Sequence, residues 1–461
     1  MTLLANPRVA EPLQVEGKHV LVVGAGRSGL AVTKVLCRLG AQVLLSDRRP
    51  IEDLADEAEQ AASFGAELVG SVEDLVGLPT PDLAVVSPGV PPAAPIMASL
   101  RQRGVPVVGE LELAWQFCPA QVIAVTGTNG KGTTCRLTHA MLTRAGLQTC
   151  LAGNIGRPLT DCLEELTPQH LVVLEVSSFQ LATTQTFAPQ AAAVLNVRPD
   201  HLDWHQDLDD YFAAKQRIFT HQQPEDLAVL VIDDPAAARM AGAVKARLAR
   251  VSLRQEVEVT WDGRGVRVAL PGGEPVVLSV SELAEWGEYH RLDAMVAACL
   301  AVEFGAGEQA VREAIVAYEP PEHLMEEVGV VGGVHYINDS KATNPDSAVA
   351  DLQHLRRRGP VVVISGGKDK GVDLSVWGRA LVSEARAVVL IGETARALAQ
   401  MTTALGPRLA SSMDEAVAVA AELAEPGDQV ALIPATSSFD MFADYADRGR
   451  RFAEAVAGLR K

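Results

Sequence analysis

The strongest constraint on this chain is a repeated alternation. Short runs of β-branched and aliphatic residues recur along it: HVLVVG, QVLLSD, DLAVVSPG and VPVVG in the first 110 residues, VIAVTG, HLVVLEVS, AAAVLNV and LAVLVI before residue 235, and VVVISGG, AVVLIG and QVALIP after residue 360. Alanine- and leucine-rich stretches of helical character separate them. Continuous apolar runs of this length read as parallel strands buried on both faces. Their alternation with helices predicts an α/β chain of layered sheets. The plan is laid down three times, and three domains are expected, over residues 1–112, 113–319 and 320–461. A chain of 461 residues is long enough for that many cores. Residues 256–279, VEVTWDGRGVRVALPGGEPVVLSV, depart from the plan, and their D-G and G-G turns predict a small hairpin insert.

Bulk properties exclude several classes of function. With 48 % hydrophobic residues the chain is not disordered. No apolar run reaches membrane-spanning length, and the start lacks the basic leader and long apolar core of a signal peptide. The six cysteines, at 37, 118, 135, 150, 162 and 299, form no C-x-x-C pair and read as reduced thiols of a cytoplasmic protein. A net charge of -18, with Arg356, Arg357 and Arg358 as the one basic cluster, argues against a nucleic-acid partner.

Two glycine-rich turns follow strands. HVLVVGAGRSGLAV places Gly24, Gly26 and Gly29 in G-x-G-x-x-G spacing, with Asp47 about twenty residues on at the end of the next strand. This is a dinucleotide-binding turn, or a handle for another phosphorylated molecule. VIAVTGTNGKGTTCRL runs a strand into Gly127, Thr128, Asn129, Gly130 and Lys131, and Thr133 and Thr134 open a helix. Glycine amides, the helix start and the lysine together suit a nucleoside triphosphate. Gly132 takes the place of the usual metal-binding hydroxyl and Ala124 that of the leading glycine, so Thr133 is the expected magnesium-side hydroxyl. Two phosphate sites in one chain argue against simple hydride transfer: one suits ATP, the other a second substrate with its own diphosphate.

Glu175, inside the run LVVLEVSSFQL, is either half of a structural ion pair or a Mg²⁺ ligand, and Asn154 in AGNIG is a further polar contact. NVRPDHLDWHQ gathers Asp200, His201, Asp203 and His205. The four-residue spacing of the histidines allows a zinc pair on a helix. The other reading gives His201 to magnesium or phosphate and His205 to the surface. In DLDDYFAAKQRIF, Tyr211, Phe212, Lys215 and Phe219 share a helical face. Lys215 then either snorkels to water or is a buried amine able to take up CO₂ as a carbamate, whose anionic oxygens bridge metals.

The last third repeats the strand–loop–helix plan. VHYINDSKATNPDSAV sets Asn338, Asp339, Ser340, Lys341, Thr343 and Asn344 behind a strand, and Pro345 starts a helix. Lys368 and Lys370 follow VVVISGG, and Ser437, Ser438 and Phe439 follow QVALIP. Loops at the carboxyl ends of parallel strands are where such domains bind ligands. Lys370 and Ser438 are either claws for an anionic substrate or solvated loop residues.

The residues VLVVGAGRSGLA, VVSPGVP, VPVVGELEL, VTGTNGKGTT, GNIGRPL, EVSSFQL, LNVRPDHLDWH, YFAAKQRIF, INDSKATNP, GGKDKGVDLS and SSFDMFADYADRGRRF, in this order from residue 20 to 452, resemble the Mur ligase family. Within it they resemble the branch that joins D-glutamate to UDP-N-acetylmuramoyl-L-alanine. The resemblance implies a Rossmann-like N-terminal domain, a central P-loop ATPase-like domain and a Rossmann-like C-terminal domain. It implies ATP-driven amide formation through an acyl phosphate, with ATP and Mg²⁺, two ions, as cofactors. The partners implied are the UDP-sugar and D-glutamate, and a monomer is expected. The first turn then serves the UDP substrate rather than NAD, with Arg27, Ser28, Asp47, Arg48 and Asn154 as contacts.

By the same resemblance Thr133, Glu175, His201 and a carbamylated Lys215 take the magnesium roles, and Lys131 holds the outer phosphates. Residues 127–134 with His290, Asp293, Asp339 and Lys341 face the nucleotide. Lys370, Ser438 and Tyr445, the last in place of the usual phenylalanine, hold D-glutamate. Domain closure is expected, since three domains must meet around one reaction. The chain departs from the family's pattern in three places. His290 and Asp293 replace adenine-side asparagines, PPEHL lacks the arginine near the γ-phosphate so that His323 stands near its place, and Gly132 is shared with folylpolyglutamate synthases. The competing readings are another ligase of the Mur or folylpolyglutamate type, an NAD oxidoreductase, and a catalytically weak nucleotide-binding homologue.

Overall fold

The computed structural model describes residues 4–201 and 204–459. Its described residues form three sheets. The first contains β1 (His19–Val23), β2 (Gln42–Ser46), β3 (Glu67–Val69), β4 (Leu83–Val86) and β5 (Val107–Gly109), in the order β3-β2-β1-β4-β5. All of its pairings are parallel. The second contains β6 (Gln121–Thr126), β7 (Thr149–Gly153), β8 (Leu171–Glu175), β9 (Ala191–Val194), β10 (Leu227–Val231), β11 (Arg247–Ser252), β12 (Val259–Trp261), β13 (Gly265–Val268) and β14 (Val276–Ser279). Its order is β14-β13-β12-β11-β10-β9-β6-β8-β7. The third contains β15 (Glu326–Val331), β16 (Val334–Asn338), β17 (Val361–Ser365), β18 (Ala387–Leu390), β19 (Arg408–Leu409) and β20 (Gln429–Leu432), in the order β15-β16-β20-β17-β18-β19. The fold is thus α/β, as the alternation predicts.

Strands β4, β8, β9 and β10 are buried at every position, because helices cover both faces. The stretch expected to be a hairpin insert is the antiparallel margin β12-β13-β14, continuous with the central sheet through parallel pairing of β11 with β12.

The described residues divide into two compact units, residues 1–197 with 207–317, and 198–206 with 318–461. The first two sheets lie in the first unit and share one hydrophobic core, in which Trp115 meets Phe187 edge-on at 5.2 Å between centroids. The helix Glu110–Gln116 that leaves β5 is buried along its whole length, two glutamates included. Each glutamate is satisfied from the central layer: Glu112 accepts from the Gln185 and Thr186 amides, and Glu110 from the Thr160 hydroxyl and amide. A buried carboxylate left without such donors would cost several kcal/mol, of order 3–5, so these bonds fix the docking of the two layers. In the second unit the third sheet carries a core on each face.

Each sheet has a strand whose two neighbours connect in opposite directions, and ligands of α/β sheets bind at the carboxyl ends there. These points lie at β1/β4, at β6/β9, and around β20. The loops that follow these strands contain nearly all the polar motifs read from the sequence.

Candidate active site

The first glycine turn is dictated by close approach. A Cβ on Gly29 would lie 1.8 Å from the Gly24 carbonyl oxygen, and Gly24 itself has φ +97°. Only glycine at both places lets the helix Arg27–Arg38 pack this tightly on β1. A cavity of about 930 Å³ opens at this turn, lined by Gly24, Gly26, Ser87–Pro91, Gly153, Gly156 and Gln180 among others. The five residues expected to contact the UDP substrate, Arg27, Ser28, Asp47, Arg48 and Asn154, all line it. Arg27 also reaches the Gly156 carbonyl at 3.4 Å, which ties the turn to the 153–158 loop.

Asp47 is already engaged by its own turn. One oxygen accepts from the Ala25 amide at 2.8 Å and the other from Arg49 at 3.1 Å. Burial pushes its pKa up, but Arg49 and the backbone donors outweigh that and hold the carboxyl below the usual range. Arg49 went unread in the sequence because a second arginine after Asp47 carries no motif signal.

The second glycine turn starts where β6 ends. Gly130 has φ +84° and caps the helix Lys131–Arg144. Its missing side chain makes room for Asp293, whose Oδ1 would lie 2.1 Å from an added Cβ. Asp293 is buried on the helix Glu288–Glu303, and desolvation raises its carboxyl to about 7, against the lowering effects of Thr134 and Lys131. His290 stands one turn earlier on that helix, half-buried.

Lys131 turns its ammonium back on the loop, donating to the carbonyls of Gly127 at 2.9 Å and Thr128 at 2.7 Å. Lys215 donates to the same Gly127 carbonyl at 2.8 Å. Two ammonium groups on one carbonyl give the loop a concentrated positive field. Lys215 is 1 % exposed and lies over the Tyr211 ring at 4.5 Å, so its amine does not snorkel to water. The helix Leu208–Gln216 does put Tyr211 and Lys215 on its inner face. Asn196, absent from the sequence reading, binds the loop through both ends of its amide.

Glu175 ends β8 beside this loop. Asn154 donates to its Oε1 at 2.8 Å, while Oε2 is buried without a hydrogen-bond partner and faces the Gly132 position. It is therefore not half of a structural ion pair. An orphaned carboxylate oxygen facing Gly132, the residue before the buried Thr133, fits a hard divalent cation. Thr133, Glu175 and Lys215 belong to the first unit, and His201 belongs to the second. His201 has φ +55°, and its amide donates to Asp200 Oδ1 at 2.9 Å. His205 is 2 % exposed, its ring against Trp204, which corrects the surface reading. No group of three His, Cys, Asp or Glu side chains able to hold a metal occurs among the described residues. Asp203 lies outside the described residues.

In the second unit Arg448 organises the remaining loops, and the sequence reading missed it. It is fully buried and donates to Ser340 Oγ and O at 2.9 Å each, to Thr436 O at 3.1 Å and to Ser437 O at 3.2 Å. Burial draws its guanidinium down to about 10. It thereby fixes the loop after β16 against the loop after β20. Ser438 is buried and Lys370 half-buried, so neither is a solvated loop residue. Lys370 pairs with Asp200 at 3.3 Å. Lys341 sits over the exposed Tyr445 ring at 5.6 Å.

Asp339, expected toward the nucleotide, is fully buried; it accepts from the Met325 amide at 3.1 Å, and burial and the adjacent Asp351 push its carboxyl up. His323, expected near the place of the missing arginine, is held inside the second unit. It is buried, with Nδ1 2.9 Å from Asn338 Nδ2, and lies against Gly449, where a Cβ would come within 2.3 Å of that nitrogen.

Parallel α/β layers with a lysine-bearing glycine loop and a second glycine turn on its own cavity define a nucleotide-using class of protein. Three domain models match in order: a Mur ligase MurD-like N-terminal domain over residues 18–109, a Mur ligase middle domain over 125–300, and a Mur ligase glutamate ligase domain over 325–436. The chain belongs to the Mur ligase family. It is 42 % identical over 450 residues to a UDP-N-acetylmuramoylalanine–D-glutamate ligase of Pelotomaculum thermopropionicum, covering 96 % of this chain and 98 % of that one. To the protein of the same name from Acidobacterium capsulatum it is 38 % identical, covering 97 % and 98 %.

Among solved structures it resembles the UDP-N-acetylmuramate-alanine ligase MurC of Thermotoga maritima, with a TM-score of 0.60 at 18 % identity over 96 % of this chain and 99 % of that one. It also resembles the MurF ligase of the same organism in complex with ADP, with a TM-score of 0.61 at 16 % identity, covering 100 % and 99 %. These two likenesses establish the fold. No helix among the described residues is long and apolar enough to cross a membrane.

Proposed function

We propose that this chain joins D-glutamate to UDP-N-acetylmuramoyl-L-alanine, with ATP converted to ADP and phosphate. It is an acid–amino-acid ligase of peptidoglycan precursor synthesis, acting as a cytoplasmic monomer. The observation that carries the reading is the pairing of two phosphate-handling turns in one unit. One opens on a cavity with no lysine in its lining, and the other is charged by two lysines and faces an unpartnered carboxylate oxygen.

In the proposed reaction the substrate carboxylate bonds to the γ-phosphorus as the bond to ADP breaks. The amine of D-glutamate then bonds to the acyl carbon and gives up a proton to solvent, and phosphate leaves with the C–O electron pair. The first turn, with Arg27, Ser28, Arg48 and Asn154, holds the UDP-sugar, while Asp47 keeps the turn in shape. Residues 127–134 hold the triphosphate, with His290, Asp293 and Lys341 on the nucleotide side. Lys131 leaves the loop carbonyls and neutralises charge that grows on the outer phosphates. Lys370 and Ser438 hold the carboxylates of D-glutamate beside Tyr445.

Magnesium would be held by Thr133, Glu175, His201 and Lys215 as its carbamate. When bound, it neutralises phosphate charge in the transfer. Carbamylation would turn the Lys215 cation into an anion suited to that ion.

The test is a product assay with purified protein, the UDP-sugar, ATP and D-glutamate, with L-glutamate as the control. Amide product and ADP in equal amounts, formed with D-glutamate alone, are expected. ADP released without amide product, or no preference between the enantiomers, would refute the assignment.

A further inference from the structure

One side chain sets the shape of the lysine-bearing loop, and neither the glycine motif nor any role above assigns it. Asn196 stands two residues beyond the end of β9, next to the β6/β9 switch point. Its Oδ1 accepts from the Thr128 amide at 3.0 Å and from the Asn129 amide at 2.8 Å. Its Nδ2 donates to the Asn129 carbonyl at 3.1 Å. Its own carbonyl accepts from the Thr128 amide as well, at 3.0 Å. The residue before it, Leu195, packs under Gly127, where an added Cβ would come within 3.0 Å of the leucine Cβ.

A carboxamide supplies an acceptor for two amides on one atom and a donor for a carbonyl on another within one short side chain. With residues 128 and 129 drawn to the β9 side, an incoming anion is left to the opening amides of the helix Lys131–Arg144, which have no intrahelical acceptor. The same clamp sets the Gly127 and Thr128 carbonyls on which Lys131 rests. A loop that kept its glycines but lost this clamp would sample other shapes and would order on binding, at a cost in affinity.

We propose that Asn196 is the positioning residue of the phosphate loop, holding residues 127–131 in the form that receives a nucleoside triphosphate. This rests on the nucleotide-binding reading of that loop. Asn196 touches neither reacting atoms nor nucleotide in this role; it acts through Thr128 and Asn129. The role separates from a general structural one because the first glycine turn follows a strand of a different sheet, and the amino-acid loops lie in the other unit.

The experiment compares wild type, Asn196→Ala and Asn196→Asp. ADP and ATP binding is measured by calorimetry, and kcat and KM for each of the three substrates in the full reaction. For Asn196→Ala, the Kd for ADP and the KM for ATP should each rise at least tenfold. The KM values for the UDP-sugar and D-glutamate should stay within twofold, and the unfolding midpoint without ligand close to wild type.

Asn196→Asp keeps the one oxygen, Oδ1, that accepts from the two amides, so it guards against a variant that fails to fold. It loses the donor and adds a negative charge behind the loop. Its ADP affinity should be lower than that of wild type, by a factor that changes with ionic strength. Unchanged ADP affinity in a folded Asn196→Asp protein would overturn the proposal. So would a parallel rise of all three KM values with lowered stability in Asn196→Ala. If wild type binds neither ADP nor ATP, the nucleotide reading fails first, and the role of Asn196 falls with it.

Discussion

At the end of β1 the glycine turn is closed by a carboxylate: Asp47 accepts from the Ala25 amide, and its charge is met by Arg49. At the end of β6 a turn of similar backbone plan is closed by a carboxamide, Asn196, and its inner carbonyl receives two lysine ammonium groups. Both turns use glycine for conformations or approaches that a Cβ forbids. They differ in the charge set around the backbone. A turn with its acid already satisfied, opening on a large cavity, suits a bound diphosphate that does not react. A turn with two lysine ammonium groups and an orphaned acid oxygen suits a phosphoryl group that is transferred. The backbone device is common to both, and the side chains divide the labour.

The largest expected effect separates the turns most sharply. Lys131→Ala should lower kcat about a hundredfold to a thousandfold, as removal of a single transition-state charge contact does. Its affinity for the UDP-sugar, read by calorimetry, should change less than twofold. Comparable loss of UDP-sugar binding would mean that the two turns do not act separately.

Lys215→Ala comes next, with most activity lost and partial recovery on adding short carboxylates such as acetate. Labelled bicarbonate should give a carbamate carbon resonance in wild type that the variant lacks. Turnover equal to wild type would end the carbamate reading.

Gly29→Ala tests the other turn. The added methyl meets the Gly24 carbonyl at 1.8 Å, and overpacking of this kind costs about 1–3 kcal/mol. The KM for the UDP-sugar should rise while that for ATP holds. A variant with wild-type KM and melting temperature would show that the turn yields more readily than its packing implies.

The smallest effect is in pH dependence. Asp293 is raised to about 7 from an ordinary value near 3.8, so the native state favours its protonated form. Its contribution to stability is complete below the ordinary value and is lost as pH rises through about 7. Its charge, once formed beside Gly130, also opposes phosphate. Stability and nucleotide affinity should therefore both fall across this range in wild type, and Asp293→Asn should flatten both. Identical pH profiles in the two proteins would remove Asp293 from the account.

Much of this was legible in the chain. Strand periodicity, both glycine turns, the helix begun by Pro345 and the polar loops after the third-sheet strands follow from local chemistry: backbone conformation, β-branching and capping act within a few residues. The margin β12-β13-β14 was read as a small hairpin insert, and its pairing with β11 was not foreseen, because D-G and G-G turns announce hairpins but not what the hairpins pair with. Snorkelling for Lys215 and a surface place for His205 both failed for the same reason. A one-dimensional pattern gives the face of a helix but not what covers that face.

By itself, then, the sequence determined the class of fold and the sites of phosphate chemistry, since glycine, lysine and strand runs act on their immediate neighbours. Tertiary structure alone decided which distant groups complete those sites. Asn196 reaches back 67 residues to Asn129, and Arg448 108 residues to Ser340. Lone polar residues carry no local pattern, and their roles arise only when burial leaves a carbonyl or an amide that nothing nearer can satisfy.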